Sequence, residues 1–445
     1  MGQESQRGLV RGMGRWSLVG LTINIFVGAG IFGLPSKIYG LAGAWSVAAY
    51  LVCALLTILI ILCFAEAASR FAETGGPYLY ARVAFGPLVG FEVGWLLWLA
   101  RVTGSAALCN LLLGYFTFFW PAAASGWTRA MVITLVFIAL TAINLIGVRE
   151  AAVVNNLFTI FKLAPLLLFV GAGLFFINLR AFTAQAGPSY GDFSKAVLLL
   201  IFAFSGFEMA VIPAGEIRDP RRNMAFALLV SAAVVVLLYV MIQVVCIGTL
   251  PGLANSERPL VDAANGFLGA AGASIISVGA LISVSGTLNS TMLAGPRILF
   301  AMAEQRQLPP FLAATHRRFR TPHIAILVSA AVMLGITLQG TFMSALTIST
   351  VIRLLAYMAT CIALPVLRYK DSVPSPRFTA PAGIAVAVVA TALSVWLLAG
   401  IPWSDARSAG FAALLGLLVF FIARRSESVD PSRALSSANP DPAEE

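Results

Sequence analysis

Apolar stretches of 18 or more residues recur from one end of this chain to the other, and each is long enough to cross ~30 Å of hydrocarbon as a helix. A bilayer core holds no water to satisfy a bare backbone, so only helices or closed barrels span it. These stretches are too long and too uniformly apolar for barrel strands, which alternate in polarity. The fold class expected is therefore an all-α polytopic membrane protein. Composition agrees: 59% of residues are hydrophobic, 11% are charged and the mean hydropathy is +0.91, too little charge to cover a soluble protein of 445 residues.

About twelve spans can be read, near residues 16–36, 43–68, 85–120, 129–146, 151–178, 193–216, 224–250, 272–302, 324–338, 342–367, 383–398 and 408–423. The polar, basic start runs into a full-length apolar segment without a small-residue cleavage site, so no cleavable leader is expected. The tail from 426 is rich in Ser, Pro, Ala and Asp, a disordered composition. Of the 29 Lys and Arg residues, 20 fall at the termini and in the even-numbered loops, including Arg7, Arg70, Arg218, Arg317 and Arg368, against six in the odd-numbered loops. That bias predicts both termini in the cytoplasm and a multi-pass protein of the cell (inner) membrane. The net charge of +10 is spread over loops, which argues against nucleic acid as a partner. Cys53, Cys63, Cys109, Cys246 and Cys361 lie inside apolar segments without a CxxC or Cys/His pairing. They read as small apolar filler, and no disulfide, metal or cofactor is expected.

Two apolar segments are interrupted at mid-depth. The first reads Asn24-Ile25-Phe26-Val27-Gly28-Ala29-Gly30-Ile31-Phe32-Gly33, and the sixth Phe202-Ala203-Phe204-Ser205-Gly206-Phe207-Glu208. Each glycine costs a helix ~1 kcal/mol against alanine. Close helix packing is one use for such residues. The other is an unwound stretch followed by a new helix start, whose amides and dipole attract a carboxylate while the carbonyls before the break attract an ammonium. A zwitterionic amino acid carries both groups. Interruptions at matching places in two five-helix units point to an inverted-repeat transporter, with two helices left over at the end.

The segment Gly28-Ala29-Gly30-Ile31-Phe32-Gly33-Leu34-Pro35 resembles the G-[SA]-G-I-F-x-x-P signature of the amino acid–polyamine–organocation (APC) superfamily. Further passages resemble that superfamily in the same order: Glu73 to Tyr80, Phe202 to Asn223, Pro259 to Ala264, and Ala294-Gly295-Pro296-Arg297 with Leu308-Pro309. The resemblance implies a LeuT-like 5+5 core over residues 15–370, two further helices over 371–425, cytoplasmic tails at 1–14 and 426–445, and alternating-access transport of amino acids or amines. By position it implies substrate contacts at Phe26, Gly28, Ala29, Gly30, Ile31, Arg101, Ser105, Phe202, Ser205, Gly206, Glu208 and Ser290. The carboxylate would meet the amides of Ala29 and Gly30, and the ammonium the carbonyls of Phe26, Phe202 and Ser205. Some relatives have serine at Ala29, a hydroxyl this chain lacks.

Ionisable residues inside a bilayer are costly unless paired or hydrated, so each is a functional candidate. Lys162 sits where the resemblance implies a replacement for a bound sodium ion, acting in proton coupling; a fixed ammonium tying helix five to helix-one carbonyls is the alternative. Glu208 is either a titrating or ligand-binding carboxylate, as in some antiporters of the superfamily, or the partner of an arginine. Arg101 either faces the side-chain pocket or pairs with Glu208. Glu66, Glu92 and Arg353 read as gating or structural ion pairs. No HExxH, paired intramembrane aspartate or nucleophile elbow appears, which argues against a membrane-embedded enzyme, and no repeated filter loop marks a channel. The expectation is a secondary active amino acid transporter, by proton symport or exchange. Neutral substrates are favoured because no acid lies near Ala100; acidic or cationic amino acids and polyamines stay open. Nothing in the sequence sets an oligomeric state.

Overall fold

The computed structural model describes residues 14–72, 75–146, 151–183, 186–212, 217–319 and 321–428, without the side chains of 151–160 and 424–428. Glu73, Thr74, Glu216 and most of both tails lie outside the described residues. The chain is helical: α1 (Arg15–Phe26), α2 (Gly30–Ala42), α3 (Ser46–Ala68), α4 (Pro77–Phe85), α5 (Pro87–Phe116), α6 (Gly126–Ile146), α7 (Ala151–Gly173), α8 (Tyr190–Ala203), α9 (Phe207–Ala210), α10 (Pro220–Thr249), α11 (Pro259–Glu304), α12 (His323–Gln339), α13 (Phe342–Tyr369), α14 (Gly383–Ala399) and α15 (Trp403–Ser428).

Among the described residues, eight helical stretches are long and apolar enough to cross a membrane, and Phe161–Phe176, His323–Gln339 and Gly383–Ala399 are shorter apolar helices. The protein is a polytopic membrane protein. The span boundaries read from sequence differ from the helices where the backbone bends inside apolar sequence. The first span is the pair α1 and α2, the sixth is α8 and α9, and the third is preceded by the separate helix α4. Hydrophobicity registers the solvent a segment sits in, and an unwound turn made of Val, Gly and Ala is as apolar as the helix around it.

Proline and glycine punctuate the elements. Gly76 (φ 55°) and Gly86 (φ 93°) bracket α4, with Pro77 and Pro87 opening α4 and α5, where a proline's missing N–H costs nothing. In α11 the backbone kinks at Gly269 (φ 67°, ψ −167°), separating the Pro259 half from the long Gly272 half. Thr341 and Ser344 cap α13 reciprocally. α5 lies at the centre of the bundle, packed on α11, α13, α12, α4 and α15, while α1 and α3 pack on α10. The outer faces of α6, α12, α14 and α15 expose Leu135, Ile138, Leu327, Val388, Leu414 and Phe421, a surface made for lipid rather than water.

Candidate functional site

The two helix breaks interlock. α1 closes with Val27 N donating to the Ile23 carbonyl (2.8 Å) and Gly28 N turning back onto the Phe26 carbonyl (2.7 Å). α2 then starts without a side-chain cap, so the amides of Ala29, Gly30 and Ile31 have no acceptor within the helix. Opposite them, Gly206 takes φ 116° between α8 and α9, a conformation that L side chains resist. A Cβ on Gly206 would stand 2.8 Å from the Ile25 carbonyl oxygen, and one on Gly30 would stand 2.5 Å from the Ala203 Cα. Each break is glycine because the other break's backbone fills the space.

Between them lies a cavity of about 50 Å³, room for about three waters, so a larger occupant needs its walls to open. The 24–30 segment forms one wall with Gly28, Ala29 and Gly30; Phe202, Ser205, Gly206 and Met209 form the facing one. Arg101, Gly104 and Leu108 of α5, Thr287, Ser290 and Thr291 of α11, and Arg353 of α13 complete it. The structure thus brings Phe26, Gly28, Ala29, Gly30, Arg101, Phe202, Ser205, Gly206 and Ser290 to one cavity, and adds Arg353, which was expected only in an ion pair.

Three of the expected contacts fall elsewhere. Ser105 does not line the cavity; it is fully buried with its hydroxyl unpartnered, because α5 presents the Arg101, Gly104 and Leu108 face instead. The Ile31 side chain is buried in the core, leaving only its amide for the break. Glu208 lies behind the cavity wall. Its Oε1 accepts from Arg353 Nη1 at 2.9 Å and stands 3.5 Å from Arg101 Nη2; its Oε2 accepts from Tyr357 OH (2.6 Å) and from the Gly206 amide (2.8 Å). Of the two readings of Glu208 and Arg101, this geometry is the paired one, although Arg101 also faces the cavity.

The carbonyls expected to meet an ammonium are also differently occupied. Phe26 O accepts from both Gly28 N and Tyr239 OH (3.0 Å), and Phe202 O accepts from Ser205 Oγ (2.7 Å) and Ser205 N (3.4 Å). A carbonyl has two lone pairs, so neither is left open in this conformation. Asn24 and Ile25 line the cavity beside them.

Lys162 reaches from α7 to the end of α1, donating to the Asn24 carbonyl (2.9 Å) and Thr287 Oγ1 (3.2 Å). It is 2% exposed and does not line the cavity. Glu66, fully buried at the end of α3, accepts from Arg70 Nη2 (3.0 Å), Arg368 Nε and Nη2 (2.8 and 2.6 Å) and the Ala380 amide (2.8 Å). Glu92 corrects the expectation of an ion pair: its buried carboxylate oxygens have no hydrogen-bond partner among the described residues, and it lies against Gly416 of α15. An aromatic cluster underlies the second break, with Phe207 against Phe26, Phe64 and Tyr357 at centroid distances of 5.6, 5.1 and 5.0 Å.

Sequence reading missed Asn24, Ile25, Gly104, Leu108, Met209, Thr287 and Thr291. One signal was present for α11: Thr287, Ser290 and Thr291 stand at i, i+3 and i+4, one polar face on an apolar helix.

A family model described as amino acid permease matches residues 13–422. The chain is 28% identical to the methylthioribose transporter of Bacillus subtilis (strain 168) over 96% of each chain. It is 29% identical to the serine/threonine exchanger SteT of the same organism, over 92% of this chain and 95% of that one. To an arginine/ornithine antiporter of Pseudomonas aeruginosa it is 32% identical, over 70% and 67%. With the family model spanning nearly its whole length, the chain belongs to the amino acid permease family of the APC superfamily: it is an amino acid transporter and not an enzyme.

Proposed function

We propose that the protein is a secondary active carrier that binds one amino acid in the cavity between its two helix breaks and moves it by alternating access, with both termini in the cytoplasm. The observation that carries this reading is the interlock of Gly30 on Ala203 and of Gly206 on Ile25. It holds an uncapped helix start and a second broken helix around one small void. The amides of Gly30 and Ile31 offer the substrate's carboxylate a site with the favourable end of a helix dipole behind it. The ammonium turns to the carbonyl side of the first break, and takes over acceptors there as the walls move. Rocking of one helix group against another around this fixed site would expose it to each side in turn.

The cavity disfavours a cationic side chain. Arg101 and Arg353 both line it, and the carboxylate that could have held a cation, Glu208, is engaged by Arg353, Tyr357 and Gly206. Neutral side chains fit the wall of Gly104, Leu108, Phe202 and Met209. This reading excludes cationic side chains such as those of arginine and ornithine, for which one relative is named, and admits neutral or acidic ones.

Coupling is assigned to protons or to exchange. The Lys162 ammonium fills a buried position between the α1 end and α11, so a sodium ion there would meet a like charge. Proteoliposomes test both parts. Uptake of a labelled amino acid mixture should follow an inward proton gradient or preloaded amino acid. Strong accumulation under a sodium gradient alone sinks the coupling assignment, and no uptake of any amino acid sinks the carrier reading. Methylthioribose belongs in the same panel, because a relative covering 96% of the chain is named for it.

A further inference from the structure

Two guanidinium groups line the cavity, and one carboxylate answers them. Glu208 Oε1 is bonded to Arg353 Nη1 at 2.9 Å, and its Oε2 accepts from Tyr357 and Gly206. Its Oε1 also stands 3.5 Å from Arg101 Nη2, an ion pair without a hydrogen bond, so this one carboxylate is shared between two guanidinium groups. Arg101 is only 3% exposed. Its Nε and Nη2 have no hydrogen-bond partner among the described residues, and its Nη1 rests against the Met209 sulfur, a weak acceptor. Arg353 Nε is likewise unpartnered. Among the described residues no Asp or Glu lines the cavity, and Lys162 beyond Asn24 adds another positive charge. The surroundings therefore carry more cations than anions, and a buried guanidinium lacks the acceptors that would offset its removal from water.

We propose that Arg101 is the side-chain specificity residue of this carrier, and that the substrate it selects is an acidic amino acid. As the cavity walls open, the carboxylate of the substrate's side chain would take the Arg101 guanidinium edge that makes no hydrogen bond here, where Nε and Nη2 present two parallel N–H groups. That is the fork geometry a carboxylate accepts from in pairs. The α-carboxylate keeps the amides of Gly30 and Ile31 at the other end of the cavity. A dicarboxylic amino acid brings a net negative charge to a net positive site, which a neutral amino acid does not. The inference rests on the carrier reading above and adds the identity of the side chain.

Binding to the purified wild-type protein, measured by calorimetry, tests it without any variant. Glutamate is compared with glutamine and aspartate with asparagine, pairs equal in shape and different in charge; alanine, leucine and ornithine complete the panel. The acidic member of a pair should bind at least tenfold tighter than its amide, and ornithine should not compete. In Arg101→Gln the acid-over-amide ratio should fall close to one. Binding of alanine or leucine with none of aspartate or glutamate overturns the proposal and leaves the carrier reading standing. An acidic preference that survives Arg101→Gln overturns the role of Arg101. Failure of every amino acid to bind overturns the carrier reading itself. If Arg101→Gln does not fold, the wild-type ratios still decide whether acidic side chains are selected.

Discussion

A Cβ placed on Gly30 would lie 2.5 Å from the Cα of Ala203, so the first turn of α2 and the last residue of α8 touch backbone to backbone. Gly30→Ala must push the two breaks apart, and overpacking of this kind costs about 1–3 kcal/mol. Uptake in proteoliposomes should fall at least tenfold while the protein still inserts. Gly206→Ala should behave at least as badly, because its φ of 116° and the Ile25 carbonyl at 2.8 Å both oppose a side chain. Transport at wild-type rates in either variant would show that the interlock is not needed.

Glu208 is buried with Arg353 and within 3.5 Å of Arg101. Removing one member of a buried ion cluster costs about 3–5 kcal/mol, because the remaining charge loses its compensation. Glu208→Gln should therefore lower the melting temperature in detergent clearly more than Arg353→Met combined with Glu208→Gln, which removes one charge of each sign. Equal melting temperatures for the single and double variants would mean that the cluster is not electrostatically coupled.

The Lys162 ammonium donates to the Asn24 carbonyl at the end of α1. Lys162→Ala removes that donor and the charge beside the first break. Uptake driven by a proton gradient should drop at least tenfold. Unchanged proton-driven accumulation in Lys162→Ala would detach the lysine from coupling.

Segment 370–382 is tied down at the end of α3. Glu66 holds Arg368 and the Ala380 amide, Arg70 donates to the Leu367 and Pro374 carbonyls, and Ser69 Oγ donates to Phe378 O at 3.1 Å. Hydrogen bonds to a charged group contribute about 1.5–3 kcal/mol each. Glu66→Gln should therefore speed amide hydrogen exchange across 370–382 at least tenfold, with little change in α12. Exchange that stays at the wild-type rate there would remove Glu66 from the latch.

Glu92 shows where a single residue's chemistry misleads. A carboxylate in an apolar helix reads as one half of an ion pair, because an unpaired one is costly. Here its carboxylate lies against Gly416 and has no hydrogen-bond partner among the described residues. The pairing rule holds on average over buried charges and does not name a partner for any one of them.

Chain length, apolar run length and the two glycine interruptions were enough to establish a helical membrane protein with broken helices, because bilayer thickness and backbone hydrogen bonding act on segments independently of how they pack. The same uniform hydrophobicity hides rotation. α5 is apolar on nearly every side, so nothing in its sequence told Gly104 from Ser105, and only packing against α11 and α13 turned Gly104 toward the cavity. Charges behave alike: Arg101, Glu208 and Arg353 are each visible as costly residues within apolar helices. Their distance in sequence left the pairing open, and the tertiary structure decided it by hydrogen-bonding Glu208 to Arg353 and placing Arg101 3.5 Å from the same carboxylate without a hydrogen bond.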